Sequence, residues 1–318
     1  MEKKKFVGFG EILLRMSPDG YLRFSQADRF NLSYSGAEGN MAIALSYMGM
    51  PAEMVTRFPD NDIGRCAKRV LDKWGVKTDH IAWGGDRLGV YYLEKGASQR
   101  PSKIIYDRKH TAISEASTTD FDWDEIFADA AWFHFTGITV ALSENLRQIC
   151  EQACIAAKRN GVKVSCDLNY RKSLWTTEEA QRAMKPLMQY VDVLIANEED
   201  SEKVLGVKAD NTDITQGKLS LEGYSSLAAN LTEKYGFEMV AITLRESISA
   251  SVNNWSAMIY TGGRTYVSKK YTMQIVDRVG GGDSFASGLI YGYLNGFDLQ
   301  KMVEFAAGAS CLKHSIEY

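Results

Sequence analysis

Apolar and polar positions follow two periods along the chain. After residue 122, short apolar runs take turns with longer segments in which apolar residues recur every three to four positions. These two patterns are typical of buried strands and amphipathic helices. We predict strands at 131–135, 162–169, 191–197 and 239–244, and helices at 143–160, 177–190 and 224–235. Strands and helices that alternate in this way indicate an α/β fold, with a mostly parallel sheet sandwiched by helices.

The first third of the chain contains the same alternation. We predict a strand at 6–14, a helix that opens at small residues after 35 and ends near Gly49, a strand at 53–57 and a helix at 62–74. A glycine after the last periodic residue is a common way for a helix to end.

Two regions fall outside the α/β alternation. Residues 21–34 alternate apolar and polar side chains, which favours exposed antiparallel strands. Residues 89–93 and 103–108 have the pattern of two strands joined by a polar turn, as in a hairpin. We therefore expect one domain over 1–318, with a small β-sheet lid formed by about residues 14–35 and 86–112.

Composition narrows the classes of function. The chain has 318 residues and a formal net charge of -3, so no general basic field favours nucleic acid. No window approaches the roughly 20 apolar residues of a membrane span, and the apolar run after the basic start is too short for a signal peptide. We expect a cytoplasmic protein.

The five cysteines form no CxxC and the four histidines are scattered, so we expect no metal site built from protein ligands alone.

Three consecutive glycines near the C-terminus, Gly280, Gly281 and Gly282, lead into an apolar segment that predicts a helix. Free amides at a helix N-terminus attract anions, because the unpaired N–H groups and the helix dipole both favour negative charge. Asp283 follows directly. We interpret the run as a phosphoryl-transfer site in which the glycine amides hold charge and Asp283 is the base. The alternative is that Asp283 only caps the helix.

Other polar residues follow predicted strands or open a predicted helix. Ligands of parallel sheets bind at the carboxyl ends of the strands, where we place Asn169, Arg171, Asn197 and Thr243. Near the N-terminus, Gly36 and Asn40 open a helix and could present backbone and amide groups to a polar ligand, or could simply allow close packing.

Several other motifs are absent. The chain has no Walker A motif, no protein-kinase signature and no GxSxG, and the dinucleotide pattern GxGxxG fails because Phe285 occupies its third glycine position. These absences argue against a P-loop enzyme, a protein kinase, an α/β-hydrolase and a nicotinamide-dependent oxidoreductase.

Two separated motifs carry a resemblance to a known family. Residues 277–283 (DRVGGGD) resemble the C-terminal signature of the ribokinase-like, phosphofructokinase-B type sugar kinases, and residues 36–42 (GAEGNMA) resemble their N-terminal signature. The resemblance covers essentially the whole chain. It implies a Rossmann-like sheet and ATP-dependent phosphorylation of a sugar hydroxyl with Mg²⁺.

Within the family, the chain most resembles the kinases that phosphorylate 2-keto-3-deoxygluconate, a sugar acid, at its C6 hydroxyl. The motifs behind this are GFGEILLR at 8–15, GASQRPS at 96–102, YDR at 106–108 and DLNYR at 167–171. The resemblance places the substrate on Gly36, Ala37, Asn40, Tyr91, Tyr106, Arg108, Arg171 and Asp283. It places ATP on Asn169, Asn197, Thr243, Arg245, Gly280 and Gly282, and it adds Gly281 and Arg171 to the catalytic group.

One position departs from the family pattern. Relatives often carry Asn-x-x-Glu near the Mg²⁺ ion, whereas this chain has Asp200 in the last place after Asn197. We assign Asp200 to metal handling through a water molecule.

The choice of a sugar acid also has a physical argument. A carboxylate suits the guanidinium of Arg108, whereas a neutral sugar would leave that arginine, if buried, with nothing to pair with. We expect Glu11 and Arg15 to pair with each other, and Arg171 to contact the substrate or the transferred phosphoryl group.

Two other functions stay open. One is a fructokinase or another neutral-sugar kinase of the same family, and the other is a catalytically inert sugar-binding regulator. We also expect a homodimer formed through the apolar faces of the lid.

Overall fold

The protein is described here by a computed structural model over residues 5–208 and 221–317. Its strands are, in chain order, β1 (Lys5–Phe9), β2 (Leu13–Ser17), β3 (Asn31–Ser35), β4 (Ala52–Val55), β5 (Arg57–Phe58), β6 (Ala82–Trp83), β7 (Gly89–Glu94), β8 (Lys103–Asp107), β9 (Ala130–Thr136), β10 (Lys163–Asp167), β11 (Val193–Ala196), β12 (Met239–Ser247), β13 (Val252–Thr261), β14 (Arg264–Val267) and β15 (Tyr271–Gln274). Its α-helices are α1 (Ala37–Tyr47), α2 (Asp62–Lys73), α3 (Trp123–Phe127), α4 (Gly137–Ala141), α5 (Glu144–Arg159), α6 (Thr177–Met184), α7 (Glu198–Asp200), α8 (Leu221–Tyr235), α9 (Gly281–Leu294) and α10 (Leu299–His314).

The large sheet has the spatial order β14-β13-β12-β11-β10-β9-β1-β4, and β15 also pairs with β13. From β4 to β12 every neighbouring pair is parallel, and β13 then runs antiparallel to β12. Apolar residues of the sheet and its helices form two large buried clusters. The predicted α/β fold is confirmed. Within the described ranges, no helix is both long and apolar enough to cross a lipid bilayer.

A smaller sheet of order β3-β2-β7-β8 lies beside the large one. The predicted hairpin is present, since β7 and β8 pair antiparallel from Val90 opposite Asp107 to Glu94 opposite Lys103. Strand β2 joins this hairpin in parallel and pairs antiparallel with β3. The four strands bring together two parts of the chain that are separated by α1, β4 and α2.

Two predictions about the first residues are wrong. The segment 6–14 is not one strand, because the chain leaves the large sheet after β1 and enters the small sheet as β2. The segment 21–34 is mostly not strand either. A short 3₁₀ turn spans Phe24–Gln26, and the backbone N–H of Phe24 donates to Glu94 at 3.0 Å. This local bond replaces the strand ladder that the alternating pattern predicted.

A buried ion pair joins the small sheet to the glycine run. Arg15 on β2 donates to Asp277 at 2.5 Å, and both side chains are only 2% exposed. Arg15 also donates to the hydroxyl of Ser17 at 3.0 Å. The expected pairing of Glu11 with Arg15 is therefore wrong, since Arg15 instead pairs with Asp277, the first residue of the DRVGGGD motif.

A buried carboxyl joins the start of α1 to the end of β9. One oxygen of Glu38 accepts hydrogen bonds from the N–H of Thr136 at 3.0 Å, from its hydroxyl at 2.8 Å and from the Thr139 hydroxyl at 2.9 Å. A Cβ atom at Gly10 would lie 2.2 Å from the same carboxyl group. Burial raises the pKa of Glu38 to about 7, and the threonine hydrogen bonds only partly oppose that rise.

This raised pKa predicts how stability depends on pH. The folded protein keeps a proton on Glu38 that the unfolded chain loses above its ordinary pKa of 4.5, so stability from this group is lost as pH rises from about 4.5 to about 7. Glu38→Gln retains the accepting oxygen and removes the titration. We expect its melting temperature to fall less between about pH 5 and about pH 8 than that of the unmodified protein.

The matched control is Glu233→Gln, which changes an exposed carboxylate on α8. Its melting temperature should follow the unmodified protein at every pH. Parallel curves for Glu38→Gln and the unmodified protein would contradict the raised pKa.

Candidate active site

The carboxyl ends of the parallel strands, the start of α9 and the inner face of the small sheet surround a cavity of about 990 Å³. All the site residues predicted from the sequence line it. They are Gly36, Ala37, Asn40, Tyr91, Tyr106, Arg108, Asn169, Arg171, Asn197, Asp200, Thr243, Arg245, Gly280, Gly281, Gly282 and Asp283.

The three glycines have different structural roles. Gly280 precedes the first turn of α9 with φ of 84°, a left-handed conformation that favours glycine. Gly281 is buried, and a Cβ atom there would lie 2.3 Å from the ring of His314. Gly282 is exposed and has open space where a side chain would be. The run thus starts a 14-residue helix with its amide end at the cavity, which is the arrangement that favours a bound anion.

Asp283 lies in the first turn of α9 and is hydrogen-bonded to Asn40 of the N-terminal motif. The amide nitrogen of Asn40 donates to its carboxylate at 2.7 Å, across 243 residues of sequence. The N-cap position of the helix belongs to Gly280, so the alternative that Asp283 only caps the helix is wrong. Burial raises the pKa of Asp283, while the hydrogen bond from Asn40 and the charges of Arg171 and Lys313 oppose the rise. A carboxylate in this setting is suited to accept a proton.

Two further carboxylates lie at the ends of neighbouring strands. Burial, together with repulsion from Asp200 and Asp283, raises the pKa of Asp167 to about 8. Burial raises the pKa of Asp200 to about 7, and the charge of Arg171 opposes it. Three carboxylates and one arginine therefore share this end of the cavity. Such perturbed groups cluster at functional sites.

Local hydrogen bonds hold these strand ends. Asn169 has φ of 37°, which is rare for a residue with a side chain, and its N–H donates to Asp167 at 3.1 Å. Asn197 caps α7 by accepting from the N–H of Asp200 at 2.8 Å, and its amide nitrogen donates to the Asp200 carboxylate at 3.0 Å. Both asparagines are thus fixed beside carboxylates rather than left on mobile loops.

The acidic end of the cavity does not form a ready-made metal site. Among the described residues, no group of three or more histidine, cysteine, aspartate and glutamate side chains is placed to hold a metal ion. One carboxylate oxygen of Asp200 is already engaged by Asn197. A single aspartate such as Asp200 suits Mg²⁺, because this ion is commonly held by one or two carboxylates, several waters and substrate phosphates.

The small sheet supplies an aromatic and basic wall. The hydroxyl groups of Tyr91 and Ser35 are 2.7 Å apart, and the rings of Tyr91 and Tyr106 are 5.8 Å apart. The guanidinium of Arg108 lies 5.3 Å from the centre of the Tyr106 ring. These contacts hold the aromatic rings and the arginine in one surface above the cavity.

Arg108 already has a partner within the protein. Its Nε donates to Glu11 at 2.9 Å, and its Nη2 donates to the same oxygen. The side chains are only 8% and 2% exposed. The argument that a buried Arg108 needs a ligand carboxylate to pair with is therefore wrong, because Glu11 supplies that charge. Thr111 donates to the other Glu11 oxygen at 2.8 Å and fixes its position.

Several cavity residues were not predicted as site residues. They are Glu11, Ser35, Glu38, Asp167, Asn253, Trp255, Arg278 and His314. Four of them were detectable, since they lie inside the GFGEILLR, GAEGNMA, DLNYR and DRVGGGD motifs: Glu11, Glu38, Asp167 and Arg278. Ser35, Asn253, Trp255 and His314 lie outside the motifs and gave no local signal.

Comparisons with known proteins identify the family of this chain. Residues 3–315 match the family described as pfkB family carbohydrate kinase. The crystal structure of 2-dehydro-3-deoxygluconokinase from Thermotoga maritima is 56% identical, covers 99% of this chain and 95% of its own, and superimposes with a TM-score of 0.96.

Two curated relatives are more distant. The 2-dehydro-3-deoxygalactonokinase of Haloferax volcanii is 32% identical over 98% of this chain and 91% of its own length. The 2-dehydro-3-deoxygluconokinase of Thermoproteus tenax is 28% identical over 96% of this chain and 87% of its own length. With its two signature motifs meeting at Asp283 and the family matched over nearly every residue, the chain belongs to the pfkB family of carbohydrate kinases.

Proposed function

We propose that the protein transfers the γ-phosphoryl group of ATP to the C6 hydroxyl of 2-keto-3-deoxygluconate. The products are 2-keto-3-deoxy-6-phosphogluconate and ADP. The observation that carries the proposal is the contact between Asn40 and Asp283 at the amide end of α9, inside one cavity. Relatives named 2-dehydro-3-deoxygluconokinase, one of them 56% identical, support the choice of a sugar acid.

The chemistry of the step follows from Asp283. Its carboxylate takes the proton of the C6 hydroxyl, while Asn40 holds the carboxylate in position. The freed oxygen forms a bond to the γ-phosphorus, and the bond from that phosphorus to the bridging oxygen of ADP breaks. The amides of Gly280, Gly281 and Gly282 stabilise the negative charge on the transferred group.

The phosphoryl donor lies, in this proposal, along the strand ends. Asn169, Asn197, Thr243, Arg245, Gly280 and Gly282 face it. Asp200 would hold Mg²⁺ through water, and the ion would supply positive charge to the phosphates. We place the reaction in the cytoplasm, where ATP is available, and cell fractionation checks this.

The sugar acid lies under the small sheet, which we propose acts as a lid that excludes water. Gly36, Ala37, Tyr91 and Tyr106 contact the sugar, and Arg108 and Arg171 face its carboxylate. Because Glu11 already balances the charge of Arg108, the exposed Arg171 supplies most of the net attraction for a carboxylate.

We also propose a homodimer through the outer face of the lid. Cross-strand pairing aligns Leu32, Met16, Tyr92 and Ile105 in one apolar row over all four strands. Leu32 is 62% exposed and Ile105 is 45% exposed. Met16 and Tyr92, between them, are half-buried. An apolar row that is exposed at both ends supports an interaction surface.

The double variant Leu32→Lys with Ile105→Lys should convert the dimer into a monomer, because it places charges in the buried contact. Size-exclusion chromatography with light scattering measures the mass. Ile63→Lys, on the exposed side of α2, is the control and should stay dimeric. A monomeric unmodified protein, or an unaffected double variant, would contradict the interface.

Asp283→Asn should lower kcat by on the order of 10²–10⁴ with little change in ADP affinity, because the amide cannot take the hydroxyl proton. Coupled ADP release and calorimetric ADP titration measure the two quantities. Asp79→Asn changes an exposed carboxylate away from the cavity and is the control. Turnover of Asp283→Asn close to normal would exclude Asp283 as the base.

The substrate is tested by ADP release over a panel of 2-keto-3-deoxygluconate, its galactonate epimer, fructose and ribose. We expect the gluconate compound to have the highest kcat/KM. Arg171→Ala should raise the KM for both acids by about tenfold or more, as expected for loss of a charge-assisted hydrogen bond, and should change neutral sugars little.

Each alternative function has its own outcome in this panel. Higher kcat/KM with fructose or ribose would indicate a neutral-sugar kinase. Higher kcat/KM with the galactonate epimer would keep the chemistry and change the substrate. No ADP release with any compound would indicate an inert sugar-binding protein.

A further inference from the structure

Two arginines lie near the loop between β12 and β13. Arg245 lies on β12, and Arg278 lies two residues before Gly280. Both line the cavity. Neither forms an ion pair with any aspartate or glutamate that the structure describes, in contrast to Arg15 and Arg108. Two positive charges are therefore present here without a counter-charge from the described chain.

Arg278 is held in place by one nitrogen only. Its Nη2 donates to the carbonyl oxygens of Ser249 at 3.1 Å and Ala250 at 3.0 Å, and to the side-chain oxygen of Asn253 at 3.4 Å. Its Nε and Nη1 make no hydrogen bond to the described residues. The guanidinium is thus anchored to a loop at one end and has donors available at the other.

The neighbouring groups leave its charge unbalanced. One carboxylate oxygen of Asp277, the preceding residue, is paired with Arg15. The other Asp277 oxygen accepts from the N–H of Val279 at 3.0 Å. Burial and the nearby Arg245 both lower the pKa of Arg278, although an arginine stays charged under ordinary conditions. Like charges held together at a cavity wall are costly unless an anion joins them, and arginine donors match phosphate oxygens well.

We propose that Arg278 binds a phosphoryl group of the nucleotide, beside the glycine run. The inference rests on the proposed function and adds a donor-binding residue that was not predicted. The nucleotide is favoured over the sugar carboxylate by position. Arg278 is anchored to the loop that follows β12, the strand that carries Thr243 and Arg245, which the proposed function assigns to ATP. Arg108 follows β8 of the small sheet and is paired with Glu11.

The decisive variants are Arg278→Gln and Arg278→Lys. Glutamine is a shorter, neutral side chain with N–H donors, so it removes the charge and keeps a polar group. We expect Arg278→Gln to weaken ADP binding by about tenfold to a hundredfold, the usual worth of a charge-assisted hydrogen bond. Binding of adenosine, which has no phosphate, should be unchanged, as should the KM for the sugar acid. Arg278→Lys should recover part of the ADP affinity.

Calorimetry with ADP, adenosine and inorganic phosphate, on full-length protein without added metal, measures these affinities. Arg264→Gln, at the exposed first residue of β14, is the matched control and should bind ADP normally. Thermal unfolding without ligand shows whether Arg278→Gln is folded. If it is not, Arg278→Lys carries the test through its ratio of ADP to adenosine affinity.

Three outcomes would overturn the inference. They are unchanged ADP affinity in Arg278→Gln, an equal loss of adenosine and ADP affinity, and saturable binding of inorganic phosphate that persists with ADP bound and is lost in Arg278→Gln. The last would assign Arg278 to a separate anion site. Failure of the proposed function is distinguishable, because it appears as no ATP-dependent product from the unmodified protein, whatever the variant binds.

Discussion

The ion pair between Arg15 and Asp277 is the constraint on which the cavity depends. It connects the second strand of the chain to the segment before α9, and it is almost completely buried. Removing one partner of such a pair leaves an uncompensated buried charge and typically costs about 3–5 kcal/mol. The position of the small sheet over the cavity and the position of the glycine run therefore depend on the same contact.

Some charged side chains of the cavity are paired within the protein and others are not. Arg15 and Arg108 are each committed to a carboxylate of the protein, and Asp167, Asp200 and Asp283 have their pKa values raised mainly by burial. The cavity thus holds acids that are ready to take protons, together with arginines whose charge the described chain does not balance. Such a combination suits a reaction in which a polyanion meets a hydroxyl group.

Much of this arrangement could be predicted from the sequence. Period and alternation predicted the parallel sheet, and local motifs singled out Asn40 and the glycine run as site residues, because each of these signals is local. The hydrogen bond between Asn40 and Asp283 was not predicted. The partners of Arg15 and Arg108 could not be predicted, since ion pairing depends on elements that meet only in the folded state. The segment 6–14 also misled, because its apolar run continues across the point where the chain changes sheets.

The separation of 243 positions between Asn40 and Asp283 has a consequence for biosynthesis. A ribosome releases the N-terminal motif long before the C-terminal one, so the site cannot assemble on the growing chain until nearly all of it has been made. Long-range contacts of this kind form late and slow the search for the native state. A chain that stops early would therefore carry a nearly complete sheet but no assembled phosphoryl-transfer site.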